Sequence, residues 1–139
     1  MEEGTSRARI EPSAEDRFVL LRRQLGVTSF GINEIVLEPG QRGRIHVHHE
    51  QEEVFLVLEG ELTIGIEGAE ETLAKGELIR VAPEVRRQLV NRGPERLILL
   101  ALGGAGEHRS RDAEAFESWD AAEGAPPQQV PLPEDLPAT

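Results

Sequence analysis

Residues 40–60 read GQRGRIHVHHEQEEVFLVLEG. His46 and His48 stand two apart, Glu53 follows, and an apolar run leads to Gly60. Along a β-strand residues i and i+2 point to the same face, so a strand here presents His46 and His48 as two imidazoles side by side. Glu53 adds a carboxylate from the next strand. Two imidazoles and one carboxylate converging from a rigid sheet make a divalent-metal site that keeps coordination positions open. Taken without their surroundings, the two histidines read better as structural side chains hydrogen-bonded to backbone or carboxylate; the surrounding spacing turns the reading toward a site. His49 alternates to the opposite face and is expected toward solvent. Glu52 is the register alternative to Glu53; Glu53 is preferred because it shares a face with Phe55 and Val57.

Outward from this stretch the pattern persists. Short apolar runs at 18–25, 29–37, 44–48, 54–58, 61–66, 71–73, 77–81, 88–91 and 97–102 are broken by turn pairs such as Pro39-Gly40, Glu59-Gly60, Glu67-Gly68 and Gly93-Pro94. Many short strands at close spacing predict an antiparallel sandwich or barrel. There is no alternation of strands and helices that would signal a parallel sheet. Residues 1–15 form a polar N-terminal segment, 16–103 the β-barrel, and 104–139 an extension. Within the extension, Ala113, Phe116 and Trp119 share one face of a predicted short helix and clip onto the barrel wall. Residues 125–139 hold five prolines and are expected to be extended or disordered.

Composition narrows the function classes. The chain has 139 residues and a net charge of −11, which argues against nucleic acid or an anionic membrane as the main partner. It contains no cysteine, so disulfides, thiolate metal sites and cysteine nucleophiles are excluded. Tyrosine is absent and Lys75 is the only lysine. No apolar leader or membrane-length run is visible, which gives a cytoplasmic expectation. Asn33 sits in an otherwise apolar strand, where a buried amide needs partners; it lines the cavity or is a satisfied structural amide. His108 is expected at the surface. Arg44, Arg80, Arg86, Arg87, Arg92 and Arg96 crowd the second half of the barrel; most are expected to pair with surface glutamates, and Arg44 and Arg80 to flank the cavity.

Residues 40–60 resemble the first motif of the cupin superfamily: Gly, five residues, His-x-His, three or four residues, Glu, six residues, Gly. Gly40, His46, His48, Glu53 and Gly60 fit every spacing. The second cupin motif, with Pro-x-Gly, His and Asn, falls on GELIRVAPEVRRQLVN, where Gly76, Pro83 and Asn91 correspond in kind. The sequence resembles a small single-domain cupin of the conserved-barrel type over residues 18–102. The resemblance implies a jelly-roll barrel and a homodimer, with the Pro-rich tail free to cross to the partner. It also implies a metal (Fe, Mn, Ni or Zn) on His46, His48 and Glu53.

One departure changes the chemistry. The position of the family's fourth metal ligand is Arg87, and arginine cannot ligate a cation. Three outcomes are open. The metal persists on three ligands; or Arg87 pairs with Glu53 and replaces the metal; or Arg87 points to the mouth and grips an anionic substrate beside a metal. The expected ligand is a small anionic metabolite, contacted by Arg87, Phe55 and Asn33, with Gln88 or Asn91 supporting the motif. Whether the chain is an oxygenase, isomerase, lyase or non-catalytic binding module stays open.

Overall fold

A computed structural model describes residues 4–104 and 112–137. The order is β1 (Phe18–Val19), α1 (Leu21–Leu25), β2 (Gly31–Leu37), β3 (Ile45–His48), β4 (Glu52–Glu59), β5 (Leu62–Ile66), β6 (Ala69–Leu73), β7 (Leu78–Val81), β8 (Arg87–Val90), β9 (Leu97–Gly104), β10 (Ala113–Phe116) and a 3-10 turn at Pro127–Gln129. The strands form two five-stranded antiparallel sheets, ordered β1-β2-β9-β4-β7 and β10-β3-β8-β5-β6. The protein is thus all-β, as the short-strand pattern predicts. Among the described residues no helix is long and apolar enough to cross a membrane.

Period-2 alternation builds the core. Ile35 and Leu37 of β2, Phe55 and Val57 of β4, and Leu97 and Leu99 of β9 point inward from the first sheet. They meet Leu62 and Ile64 of β5, Leu73 of β6 and Leu89 of β8 from the second. Gly60 turns β4 into β5 at φ 81°, and a Cβ there would run into the backbone carbonyl of Arg96. The motif glycine is therefore required by both conformation and close approach.

Two local expectations are corrected. The run at 18–25 is not one strand, because only Phe18–Val19 pairs with β2 and Leu21–Leu25 coils into a helical turn. Gly26, left-handed at φ 76°, ends that turn by donating its N–H to the Arg22 carbonyl. The predicted helix carrying Ala113 and Phe116 is β10, an edge strand paired with β3. The i, i+3 spacing of Ala113, Phe116 and Trp119 mimics a helix, but pairing with an otherwise open sheet edge outweighs local propensity. The clip itself is present: Phe116 packs with Ile45, Val47, Trp119 and Ala121 on the outer face of the second sheet. Trp119 lies over Gly65, where a Cβ would come within 2.6 Å of its ring. Arg86 covers Phe116 at 3.6 Å from the ring centre and donates to the Trp119 carbonyl.

Phe116→Ala should destabilise the protein by about 3–5 kcal/mol, the usual cost of emptying a buried aromatic site. Urea unfolding monitored by Trp119 fluorescence measures it, and a change below about 1 kcal/mol would contradict the clip.

Candidate metal centre

Strand β3 sends Ile45 and Val47 outward and His46 and His48 inward. Glu53, at the start of β4, faces them from the other sheet, so the cluster bridges the sandwich. Across the edge of β3, Ala113 lies opposite His48 and Ala115 opposite His46. Their small side chains leave the imidazoles room.

One ligand atom from each of His46, His48 and Glu53 lies within 4.8 Å of the others. His46 Nε2 is 3.9 Å from Glu53 Oε1, and His48 Nε2 is 3.5 Å from Glu53 Oε2. Atoms bound to one ion at about 2.1 Å lie about 3–3.5 Å apart, so these residues fit a divalent first-row ion after small shifts. His46 Nδ1 lies 3.0 Å from the Arg44 carbonyl. That oxygen can only accept, so Nδ1 carries the proton and Nε2 turns its lone pair to the cluster. Burial alone would raise the pKa of Glu53, but the two imidazoles facing it outweigh burial and hold it well below the usual carboxylate range.

Asp112 is a further member that sequence reasoning missed. Its Oδ2 lies 3.7 Å from His48 Nδ1. The carboxylate also accepts the backbone N–H groups of Glu50 and Gln51 at 2.9–3.1 Å. Burial pushes its pKa up, and these N–H groups pull it further down. At 3.7 Å Asp112 makes a charge contact with His48 and not a hydrogen bond, and His48 Nδ1 has no hydrogen-bond partner among the described residues. No spacing rule connects it to a histidine 64 positions earlier in the chain.

Arg87 occupies the expected register, directly opposite His46 on β8. Its side chain is fully buried and does not line the cavity, so the mouth position considered from the sequence is not the one observed. Nη1 lies 3.8 Å from Glu53 Oε1, and Nη2 donates to the Ala82 carbonyl at 3.2 Å. The contact with Glu53 is therefore single rather than bidentate. Glu53 Oε1 and Arg87 Nε and Nη1 have no hydrogen-bond partner among the described residues. Desolvation lowers the Arg87 pKa, opposed chiefly by the charge of Glu53, yet guanidinium is basic enough to remain charged.

The cavity above the cluster has a volume of ≈ 230 Å³. Asn33 and Phe55 line it, as expected, together with Phe18, Ile35, Leu89 and Ala101. Arg44 lines it too and is the one cationic side chain to do so among the described residues. Arg80 does not: it pairs with Glu52 at the surface, which also removes Glu52 from the cluster. Arg92 pairs with Glu70 and Arg96 with Glu38, as expected of surface arginines. His49 points away from the cluster, between Glu84 at 3.0 Å and Glu114 at 3.2 Å. Gln88 donates to Gly43, and Asn91 to Leu37 and Glu95; both fix backbone rather than a ligand. His108 lies outside the described residues.

Comparison with known proteins agrees with this architecture. The family model described as "Cupin domain" matches residues 33–103. A structure from Silicibacter pomeroyi, named as a sugar phosphate isomerase from a cupin superfamily, is similar at 26% identity and a TM-score of 0.64, covering 85% of this chain and 82% of that one. A cupin protein from Bacteroides fragilis is similar at 22% identity and a TM-score of 0.64, covering 88% and 98%. A Klebsiella pneumoniae protein with a double-stranded β-helix domain gives 20% identity and a TM-score of 0.63, covering 78% and 86%. No curated protein matches. With more than half of its length matched by the family model, the chain belongs to the cupin family.

Proposed function

We propose that this cupin holds a divalent first-row metal (Fe, Mn, Ni or Zn) on His46, His48 and Glu53 and binds a small anionic metabolite in the cavity above it. The observation that carries the reading is the convergence of three ligand atoms within 4.8 Å at the base of a cavity. When bound, such a metal supplies a Lewis acid that polarises a carbonyl or phosphoryl oxygen. The protein's own groups do the rest. The Arg44 carbonyl orients His46, and the Asp112 carboxylate lies 3.7 Å from His48 Nδ1. The apolar wall of Ile35, Phe55 and Leu89 excludes water, and Asn33 offers an amide to a hydroxyl or carbonyl.

Charge supports an anionic ligand. Glu53 and Asp112 are two carboxylates set against one guanidinium, so a divalent ion leaves the cluster with one uncompensated positive charge. A carboxylate or phosphate balances it, with Arg44 on the cavity wall to receive it. Among oxygenase, isomerase and lyase chemistry, the relative named as a sugar phosphate isomerase supports the isomerase.

A second reading is favoured by the Arg87–Glu53 contact of 3.8 Å. Here the guanidinium replaces the ion, and the cavity is a non-catalytic binding site. The two separate cleanly. In the metal reading, His48→Ala reduces bound metal, measured by elemental mass spectrometry, to under about a tenth of the parent level, and unchanged stoichiometry would defeat that reading. Arg87→His adds a fourth ligand opposite His46 and should raise metal affinity at least about tenfold in a competition titration with a chelator. In the pairing reading, Arg87→Ala leaves the buried Glu53 carboxylate without its guanidinium and should cost about 3–5 kcal/mol in metal-free protein. A variant as stable as the parent would rule that reading out.

We further propose that two copies pair through the outer face of the first sheet. Leu56 lies opposite both Leu100 and Leu78, and Leu102 opposite Ile32 and Val54. These alternate with the core residues and therefore face outward, and Leu78 is 61% exposed. Phe116 and Trp119 cover the other sheet; on this face α1 packs against β2, where Leu21, Glu34 and Val36 are buried, and Leu56, Leu78, Leu100 and Leu102 are at least partly exposed. Arg80 and Glu52 pair at the rim of this face, and Glu34 of β2 lies on it opposite Leu100, buried and with Oε2 lacking a hydrogen-bond partner among the described residues. Light scattering should give a dimer, and Leu78→Glu with Leu100→Glu a monomer. A monomeric parent would contradict the pairing.

A further inference from the structure

The Pro-rich segment was expected to be extended or disordered, or to cross to a partner. Apart from the 3-10 turn at Pro127–Gln129 it lacks regular structure, and it lies along its own chain. Ala125 bridges to Ala115 at the edge of the second sheet. The segment then runs beside residues 40–44, and Pro127 lines the cavity. Arg44 Nε donates to the Val130 carbonyl at 2.5 Å. Arg42 donates twice to the Glu134 carbonyl, at 3.1 and 2.8 Å, and Leu136 donates its N–H to the Gly40 carbonyl at 2.7 Å. From the other sheet, Arg17 reaches Asp135 at 3.7 Å and the Arg42 carbonyl at 3.3 Å. The segment thus runs from the β10 edge of the second sheet, beside residues 40–44, to Arg17 just before β1, and its Pro127 lines the cavity that Phe18 and Arg44 also border.

How it is held matters. Within residues 126–137 only Val130 is buried, at 5% exposure. The rest of the attachment is polar and near the surface. A segment fixed by few apolar contacts opens locally at far lower cost than a sheet strand. One of its fasteners, Arg44, is also the cation on the cavity wall, so an anion entering the cavity meets the same guanidinium that holds Val130.

We propose that residues 126–137 are a strap gating the cavity, latched by Arg44, and that a carboxylate or phosphate ligand engages the latch as it binds. The proposal rests on the cavity being a ligand site but not on any metal. The chain has no cysteine, so a single reporter can be placed inside. Ala101 lines the cavity at 2% exposure. In full-length Ala101→Cys protein, N-ethylmaleimide should label the thiol slowly. Adding Arg42→Ala and Leu136→Pro removes three of the strap's hydrogen bonds without touching the cavity, and labelling should accelerate at least about tenfold. Arg92→Ala, which breaks an arginine–glutamate pair away from the strap, should leave the rate unchanged. Equal rates in all three proteins would overturn the gate. Hydrogen exchange in the unmodified chain keeps the test sound if the reporter perturbs folding. The Leu136 amide should exchange well before that of Leu99 in β9, and exchange of both only through global unfolding would overturn the proposal. Neither readout requires metal, so failure of the gate and failure of the metal reading are distinguishable.

Discussion

A buried carboxylate requires a countercharge, and the inside of this protein is arranged around how Glu53 obtains one. Its side chain is 12% exposed and faces two imidazoles and a guanidinium. At 4 Å and an effective dielectric near 20, one unit-charge pair is worth about 4 kcal/mol. An ion bound to Glu53 gains from that attraction and loses to Arg87. The cluster is therefore near balance: it tolerates the guanidinium alone, and with a divalent ion it is left short of one negative charge. The same arithmetic explains both how three ligands can suffice and why an anion would complete the site.

The scaffold meets the demands of that cluster through its second half. Strand β10 sets two alanines opposite the histidines, gives Asp112 to His48, and turns Phe116 outward to seal the second sheet. The segment that follows runs beside residues 40–44, and its Pro127 lines the cavity. The C-terminal region is thus part of the site's wall rather than an appendage. On the first sheet α1 packs against β2, and Leu78 at the β7 edge is exposed.

The parts legible in the sequence were those written in local periodicity. His46 and His48 declared themselves by two-residue spacing, Glu53 by its face shared with Phe55, and Gly60 by a turn that admits no Cβ. That Arg87 stands where the family has its fourth ligand also followed from counting; that it lies opposite His46 is shown by the strand register. What stayed hidden was tertiary. The spacing of Ala113, Phe116 and Trp119 suits a helix until an open strand edge is known to lie beside it. Asp112 has no sequence relation to His48, and the direction of Arg87 depends on an Ala82 carbonyl that no motif marks. Arg44 was legible as a cavity-flanking arginine, but its hold on the Val130 carbonyl, and that of Arg42 on the Glu134 carbonyl, involve a distant proline-rich segment that no local pattern connects to them.

The central claim is that His46, His48 and Glu53 hold a metal despite Arg87. Elemental mass spectrometry of the untagged parent protein, purified without chelator, tests it most directly. Near one equivalent of a first-row transition metal per chain is the result expected. No metal, even after soaking with Fe, Mn, Ni and Zn, would contradict it and leave Arg87 as the countercharge of Glu53.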